Sequence, residues 1–253
     1  MHLDRLISVL ETIAISGRPL PPIELMKATG LPRPTCYRLL QTLTNHRLLD
    51  KLEGTLRYQI GNRLKRIVLL GQTDFTFSQI AAPIMKDTAN DLGETVLLSR
   101  ICGGSVEIVH VETPTDPARS YIHPGLGNRP MHACACSKAI AAFSADNFKQ
   151  KILDGPLVSY TDNTKTTPKK LVEEFERIGN VGYAECVEEF KRGVTSVAAP
   201  ICINKFGATF SLGVTGPSER LNAAYRKTIG QNLIQTSINL ATEFQWRQKL
   251  KLE

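Results

Sequence analysis

The stretch Leu31-Pro32-Arg33-Pro34-Thr35-Cys36-Tyr37-Arg38-Leu39-Leu40-Gln41-Thr42-Leu43 decides the reading of the first third of the chain. Cys36, Leu39, Leu40 and Leu43 fall at i, i+3, i+4 and i+7, the spacing of one apolar helix face. Arg33, Thr35, Tyr37, Arg38, Gln41 and Thr42 occupy the other face. Pro34 in the first turn removes no donor that the helix needs. Upstream, Leu3, Leu6, Ile7, Leu10, Ile13 and Ala14 recur at helical spacing, and Gly17 follows as a stop. Pro21-Pro22 opens a short second helix that Gly30 closes, with Ile23, Met26 and Ala28 expected inward. Downstream, Leu52, Leu56, Tyr58 and Ile60 alternate around Glu53-Gly54, a hairpin pattern.

Three short helices with a tight turn before the last, followed by a hairpin, describe a winged helix-turn-helix. The candidate DNA contacts are Arg33, Pro34, Thr35, Tyr37, Arg38 and Gln41 on the third helix and Arg57 on the hairpin. Arg pairs with phosphate or takes guanine bidentately, and Thr and Tyr reach phosphates or thymine methyls. The competing reading is a small helical protein-interaction module. Charge favours DNA. Residues 1–76 carry 11 Lys/Arg against 6 Asp/Glu, a net of +5, whereas the other 177 residues hold 20 against 18. A compact basic module suits a polyanion, because each neutralised phosphate releases condensed counterions.

The whole chain has 253 residues, 42% hydrophobic and 22% charged, with a net charge of +7. That composition excludes a disordered or collagen-like chain and leaves room for two domains. No apolar run approaches the ~20 residues of a membrane span. The first residues lack the pattern of a signal peptide, so a cytoplasmic protein with reduced thiols is expected; six cysteines in this length are no disulfide framework. Asn62–Leu70 is basic and then apolar and reads as a linker helix. Its apolar face suits pairing with a second subunit.

Beyond it, Ile80–Leu92 reads as an amphipathic helix ended by Gly93. Strands are expected at Thr95–Ile101, Val106–Thr113, Arg119–Ile122, Tyr183–Val187, Val194–Ile203 and Ala208–Thr215, with turns at Cys102–Ser105 and Asn204–Gly207. Helices are expected at about Cys134–Phe143, from Thr167-Pro168 to Ile178, and at about Leu221–Lys249. Neighbouring strands joined by short turns give a mainly antiparallel sheet with helices on it, an α+β fold.

These segments resemble the IclR family of bacterial transcription regulators over almost the whole length. The N-terminal third matches in Gly17-Arg18-Pro19-Leu20, Thr29-Gly30-Leu31-Pro32, Tyr37-Arg38-Leu39-Leu40 and Arg57-Tyr58-Gln59-Ile60-Gly61. The remainder matches in Gly93-Glu94-Thr95-Val96, Pro130-Met131-His132-Ala133, Lys138-Ala139, Gly182-Tyr183-Ala184, Glu188-Glu189-Phe190, Gly193-Val194, Ala198-Ala199-Pro200-Ile201 and Gly216-Pro217. The order and spacing of these fragments carry the resemblance. It implies a winged helix-turn-helix over 1–61, a linker helix over 62–76, and a GAF-like effector-binding and oligomerisation domain over 77–253. It implies a ligand-responsive regulator, expected to be a repressor. Its partners would be double-stranded operator DNA, a small-molecule effector, and further copies as a homodimer or dimer of dimers. No cofactor is implied.

The same resemblance places the effector pocket at Ala135, Cys136, Cys186, Ser196, Gly213 and Thr215, with Ala118–Tyr121 and Arg129 at the mouth or wall. Physical chemistry supports an anion there. A helix opening at 134–137 offers free N–H groups and the positive end of its dipole. Ser196 and Thr215 add hydroxyl donors, and an inward Arg129 would hold a carboxylate bidentately. Cys186 stands where many relatives have Asp, which makes the pocket less acidic and favours an organic acid.

The alternative is a thiol- or metal-responsive regulator on the same scaffold, using Cys134, Cys136 or Cys186. No Cys-x-x-Cys pair exists, and Cys134 and Cys136, two apart on a helix, would point away from each other. Structural thiols are therefore expected, with a low-pKa thiolate at the helix start as the alternative, because a helix N-terminus stabilises negative charge. His132 reads as structural. Gly-x-Ser-x-Gly, a phosphate-cradling glycine loop and His-Glu-x-x-His are all missing, so no catalytic residue is assigned. Glu188-Glu189, if on a strand, would face opposite ways.

Overall fold

A computed structural model describes residues 2–70, 74–144, 146–203 and 207–250. The chain forms two compact units, Met1–Gln72 and Thr73–Glu253.

In the first unit, α1 (His2–Ser16), α2 (Pro22–Thr29) and α3 (Arg33–Asn45) precede an antiparallel pair, β1 (Leu49–Lys51) and β2 (Tyr58–Ile60), and α4 (Asn62–Leu70) follows. Val9 and Ile13 of α1, Leu25 of α2, and Cys36, Leu39, Leu40 and Leu43 of α3 meet Leu20, Leu49 and Tyr58 in one core. Each such fully buried aliphatic side chain contributes about 1.5–3 kcal/mol. Gly30 ends α2 in the left-handed conformation (φ 67°), its N–H bonded to Met26 O, so the chain reverses within three residues.

Three expectations are corrected in this unit. In α2 the buried positions are Pro22 and Leu25, and Met26 packs partly buried against the core as expected. Ile23 is 68% exposed and Ala28 is exposed, because a helix this short buries only the side facing α1 and α3. The apolar stripe of α1 is wider than the core, and Leu3 and Ile7 remain exposed. The hairpin pairs Leu49–Lys51 with Tyr58–Ile60, so Leu52 and Leu56 belong to the connecting tip and Leu56 is exposed. Gly61 is required by close approach: a Cβ there would stand 2.4 Å from Arg47 O.

In the second unit a six-stranded antiparallel sheet has the order β5-β4-β3-β8-β7-β6. The strands are β3 (Thr95–Cys102), β4 (Ser105–Glu112), β5 (Gly127–Arg129), β6 (Ala184–Val187), β7 (Val194–Cys202) and β8 (Ala208–Pro217). The helices are α5 (Asp74–Leu92), α6 (Ala135–Ala142), α7 (Asp146–Leu153), α8 (Pro168–Val181) and α9 (Ala223–Leu250). Phe210 of β8 packs with Phe77 of α5 and Phe244 of α9, ring centroids 4.5 and 5.5 Å away. Its neighbour Ser211 lies on the side of Cys136 of α6. Successive strand residues face opposite ways, so α6 covers one face and α5 with α9 the other.

The expected strand at Arg119–Ile122 is not formed. The edge partner of β4 is Gly127–Arg129 instead, after a loop held by Arg129. Helix α7 carries no sequence expectation, and α8 continues through Gly179 to Val181 before Gly182 (φ 87°) caps it. Of the stretch 62–76, residues 62–70 form α4 and 74–76 open α5; 71–73 lie outside the described residues. Most of the expected turn at Asn204–Gly207 lies outside them too.

Candidate functional site

The first candidate surface is the start of α3. Its buried face leaves Arg33, Pro34, Tyr37, Arg38 and Gln41 exposed, with Thr35 half-buried. Pro32 is the N-cap and contributes no side-chain cap, and Cys36 N–H makes an early helical bond to Pro32 O. Pro34 has no N–H to satisfy, which is why it is tolerated there. The Arg33 guanidinium lies 5.8 Å from the Tyr37 ring centroid, which pre-orders a cation beside an aromatic face. Arg57 is exposed beyond the hairpin tip and donates through Nη1 to Pro19 O at 3.3 Å, so part of its fork is engaged.

The second is a cavity of about 300 Å³ at the start of α6. Leu97, Ile108, Ser196 and Thr215 come from the sheet, Ala133, Cys134 and Cys136 from the α6 entry, and Cys186 from β6. Ile122, His123, Pro124 and Arg129 close one side, and Phe190, Lys191 and Val194 the other. Of the expected pocket residues, Arg129, Cys136, Cys186, Ser196 and Thr215 therefore line it. Ala135 is fully buried one residue away from the wall. Gly213 lies beneath it; a Cβ there would stand 2.7 Å from Cys136 Sγ, so only glycine admits that sulfur. Tyr121 does not reach the wall, and Ile122 and His123 take the place expected for it.

Arg129 does not offer the expected bidentate grip. Nη2 donates to Gly125 O at 2.8 Å and to Pro124 O, and Nη1 donates to Asn128 O at 2.8 Å. With both Nη2 hydrogens taken, neither two-pronged edge of the guanidinium is free. Arg129 lends the cavity its charge and pins the loop. The unengaged cation is Lys191, whose ammonium makes no ion pair among the described residues. The lining holds these two cations and no carboxylate. Ser196 makes no side-chain hydrogen bond among the described residues, while Thr215 Oγ1 donates weakly to Thr195 O at 3.4 Å.

The positive end of α6 carries no side-chain cap. Cys134 is the N-cap in extended backbone (φ −133°, ψ 130°), not part of the helix. Its thiol therefore turns back toward Cys136, against the expectation that the two point apart. The neighbouring Cys136 thiol, and with it the N–H groups of Cys136 and Ser137, outweigh burial and hold the Cys134 thiol below its ordinary range. The same pairing, with burial, pushes Cys136 well above it. Burial pushes Cys186 up to about 12, and its Sγ donates to Ala133 O at 3.2 Å. No three His, Cys, Asp or Glu side chains suited to a metal ion converge among the described residues.

Sequence reasoning missed the support beneath the cavity. Lys138 of α6 is fully buried, with Nζ 2.7 Å from Glu189 Oε1 and 3.3 Å from Glu174 Oε1. Lys165 reaches Glu189 at 2.9 Å, and Arg177 forks onto Glu174 at 3.1 Å. Burial alone would raise the Glu174 carboxyl, but Arg177, Lys138 and Lys165 together hold it at about 2. The paired glutamates are not on a strand: β6 ends at Val187, Glu188 has φ 55°, and only Glu189 turns inward. The available signal was a lone lysine in the otherwise small and apolar Ala135–Ala142. His132 lies off the cavity, its Nε2 bonded to Val158 O at 2.8 Å.

Comparison with known proteins follows the same division. The family described as IclR helix-turn-helix domain matches residues 2–53, and the one described as bacterial transcriptional regulator IclR C-terminal matches residues 73–242. The glycerol operon regulatory protein of Streptomyces coelicolor is 29% identical over 226 residues, 87% of this chain and 85% of its own. The transcriptional repressor IclR of Escherichia coli is 25% identical, over 87% of this chain and 81% of its own. The solved IclR homologue of Microbacterium hydrocarbonoxydans, complexed with 4-hydroxybenzoate, superposes with a TM-score of 0.60 at 20% identity, covering 97% of this chain and 99% of that one. The chain belongs to the IclR family of bacterial transcriptional regulators, which join a helix-turn-helix that binds DNA to a C-terminal domain that takes a small-molecule effector.

Proposed function

We propose that the protein is a cytoplasmic repressor whose α3 reads an operator and whose affinity for it is set by an organic acid in the cavity at the start of α6. The observation that carries the acid is the lining: Lys191 and Arg129 supply positive charge, and no carboxylate opposes it. The ligand's carboxylate meets Lys191 and the Ser196 hydroxyl, and its apolar body rests on Leu97, Ile108, Phe190 and Val194. An aromatic acid fits this chemistry, and the Microbacterium homologue holds one. Repression is the role named for the Escherichia coli relative. On the DNA side, Arg33 and Arg38 neutralise phosphates or take guanine, Thr35, Tyr37 and Gln41 add polar contacts, and Arg57 follows the backbone from the wing.

The working unit is a homodimer or dimer of dimers. Leu3, Ile7 and Ile67 leave apolar surface uncovered on the first unit, which supports a second copy, and paired readers match paired half-sites. Regulation is then differential affinity: the acid favours one arrangement of the sensor domains, and the stretch 62–76 passes that preference to the readers.

The test is selection of bound duplexes from a random pool, then anisotropy of a selected duplex with a panel of carboxylic acids. The reading expects a duplex to emerge and at least one acid to release it. Failure to retain any duplex at low ionic strength would refute it.

A further inference from the structure

Three of the six thiols open onto one cavity, and the non-covalent recognition described above uses none of them. Cys134 is partly exposed, and Cys136 and Cys186 are buried. The Cys136 sulfur is wedged over Gly213, and Cys186 is spent on Ala133 O. Cys134 alone combines access with the positive end of α6. The titratable and charged groups around it are Cys136 of α6, Cys186 of β6, Lys191 before β7, Arg129 of β5 and His123 of the closing loop. A thiol so placed is a nucleophile, and the cations across the cavity orient an anion toward it.

We propose that this cavity is a covalent site, in which the Cys134 sulfur adds to an unsaturated acid whose carboxylate is held toward Lys191 and Arg129 and whose C=C is activated by a second, uncharged carbonyl such as an ester. The sulfur lone pair forms the S–C bond to the carbon β to that uncharged carbonyl. The C=C π pair moves to the α-carbon as an enolate, and that carbon takes a proton from water. The hydroxide left behind balances the proton that Cys134 released on ionising, so no oxidant or reductant takes part. Neither Cys136 nor Cys186 competes, because each holds its proton at neutral pH. The inference rests on the cavity being the effector site, and it narrows the effector to acids carrying a soft electrophilic carbon.

The experiment treats the full-length protein with monomethyl fumarate and, in parallel, with its saturated counterpart monomethyl succinate. Intact-mass spectrometry is expected to show a single adduct, mapped to Cys134. It should form about tenfold faster than any at the exposed Cys202, with a rate–pH midpoint below the ordinary thiol range. C134S removes the adduct while keeping the wild-type circular dichroism spectrum, and C202S retains the adduct. Calorimetric binding of monomethyl succinate with no adduct from the fumarate overturns the covalent step and leaves the effector reading standing. An adduct on Cys134 from an acid that neither binds at equilibrium nor alters DNA affinity sustains the thiol chemistry and removes the effector reading. Equal rates at Cys134 and Cys202 overturn the proposal.

Discussion

Helices α3 and α6 both begin at a candidate functional surface, in opposite surroundings. The first turn of α3 stands in solvent, with Arg33, Pro34, Tyr37 and Arg38 exposed and nothing but Pro32 before it. Positions 135–141 of α6 are fully buried, and the helix opens on a thiol that the chain itself supplies. Both use a positive helix end, yet the consequences differ. Charges at α3 are screened within about 8–10 Å by physiological salt, so contacts there are short-range, roughly additive and salt-sensitive. Groups around α6 act in a less polar interior, so each must be matched in place, and Lys138 shows the extreme case.

The difference is broken most severely at Lys138. Lys138→Met leaves Glu174 and Glu189 without their shared buried cation and should cost about 3–5 kcal/mol, read as a lowered midpoint in urea unfolding of the second unit. The first unit has no comparable buried charge among the described residues and should unfold unchanged.

Acid provides the next test. Glu174 sits at about 2 in the folded chain against an ordinary value of 4.5, so it contributes stability above about pH 4.5 that is lost as pH falls toward 2. The loss should reach about 3 kcal/mol in the wild type and be much reduced in Glu174→Gln, measured by denaturant unfolding over that range.

Smaller effects sharpen the contrast in binding. Ser196→Ala and Lys191→Ala should each lose about 1 kcal/mol of affinity for a carboxylic acid by calorimetry. Only the Lys191 change should also alter the salt dependence, because Lys191 is exposed and Ser196 carries no charge. Neither should shift the salt slope of DNA binding.

The same contrast explains what could be read from the sequence. A helix with one buried and one solvated face writes its period into the residue order, so the Cys36–Leu43 stripe and the polar set opposite it were legible. So were the antiparallel strand pairs, flagged by turn residues such as Gly103-Gly104. Helix α6 has no second face, and its residue types carry no period. A thiol at the helix start was legible, but the N-cap position of Cys134 and its turn toward Cys136 were not, because they depend on one residue's extended backbone. Arg129 was legible as a cation near the pocket, but its partners are carbonyls of a loop whose path no spacing encodes. The segment Arg119–Ile122 looked like a strand because its residues suit one; the sheet edge went to Gly127–Arg129 instead. Lys191 and His123 reach the cavity from loops and left no pattern.

Operator binding is proposed to rest on α3. Anisotropy of one selected duplex, titrated over a range of salt concentrations with wild type and the double variant R33A/R38A, tests that most directly. The variant is expected to bind more weakly, with a log–log salt slope shallower by about two and the heat of acid binding unchanged. Equal affinity and equal slope for the two proteins would contradict it.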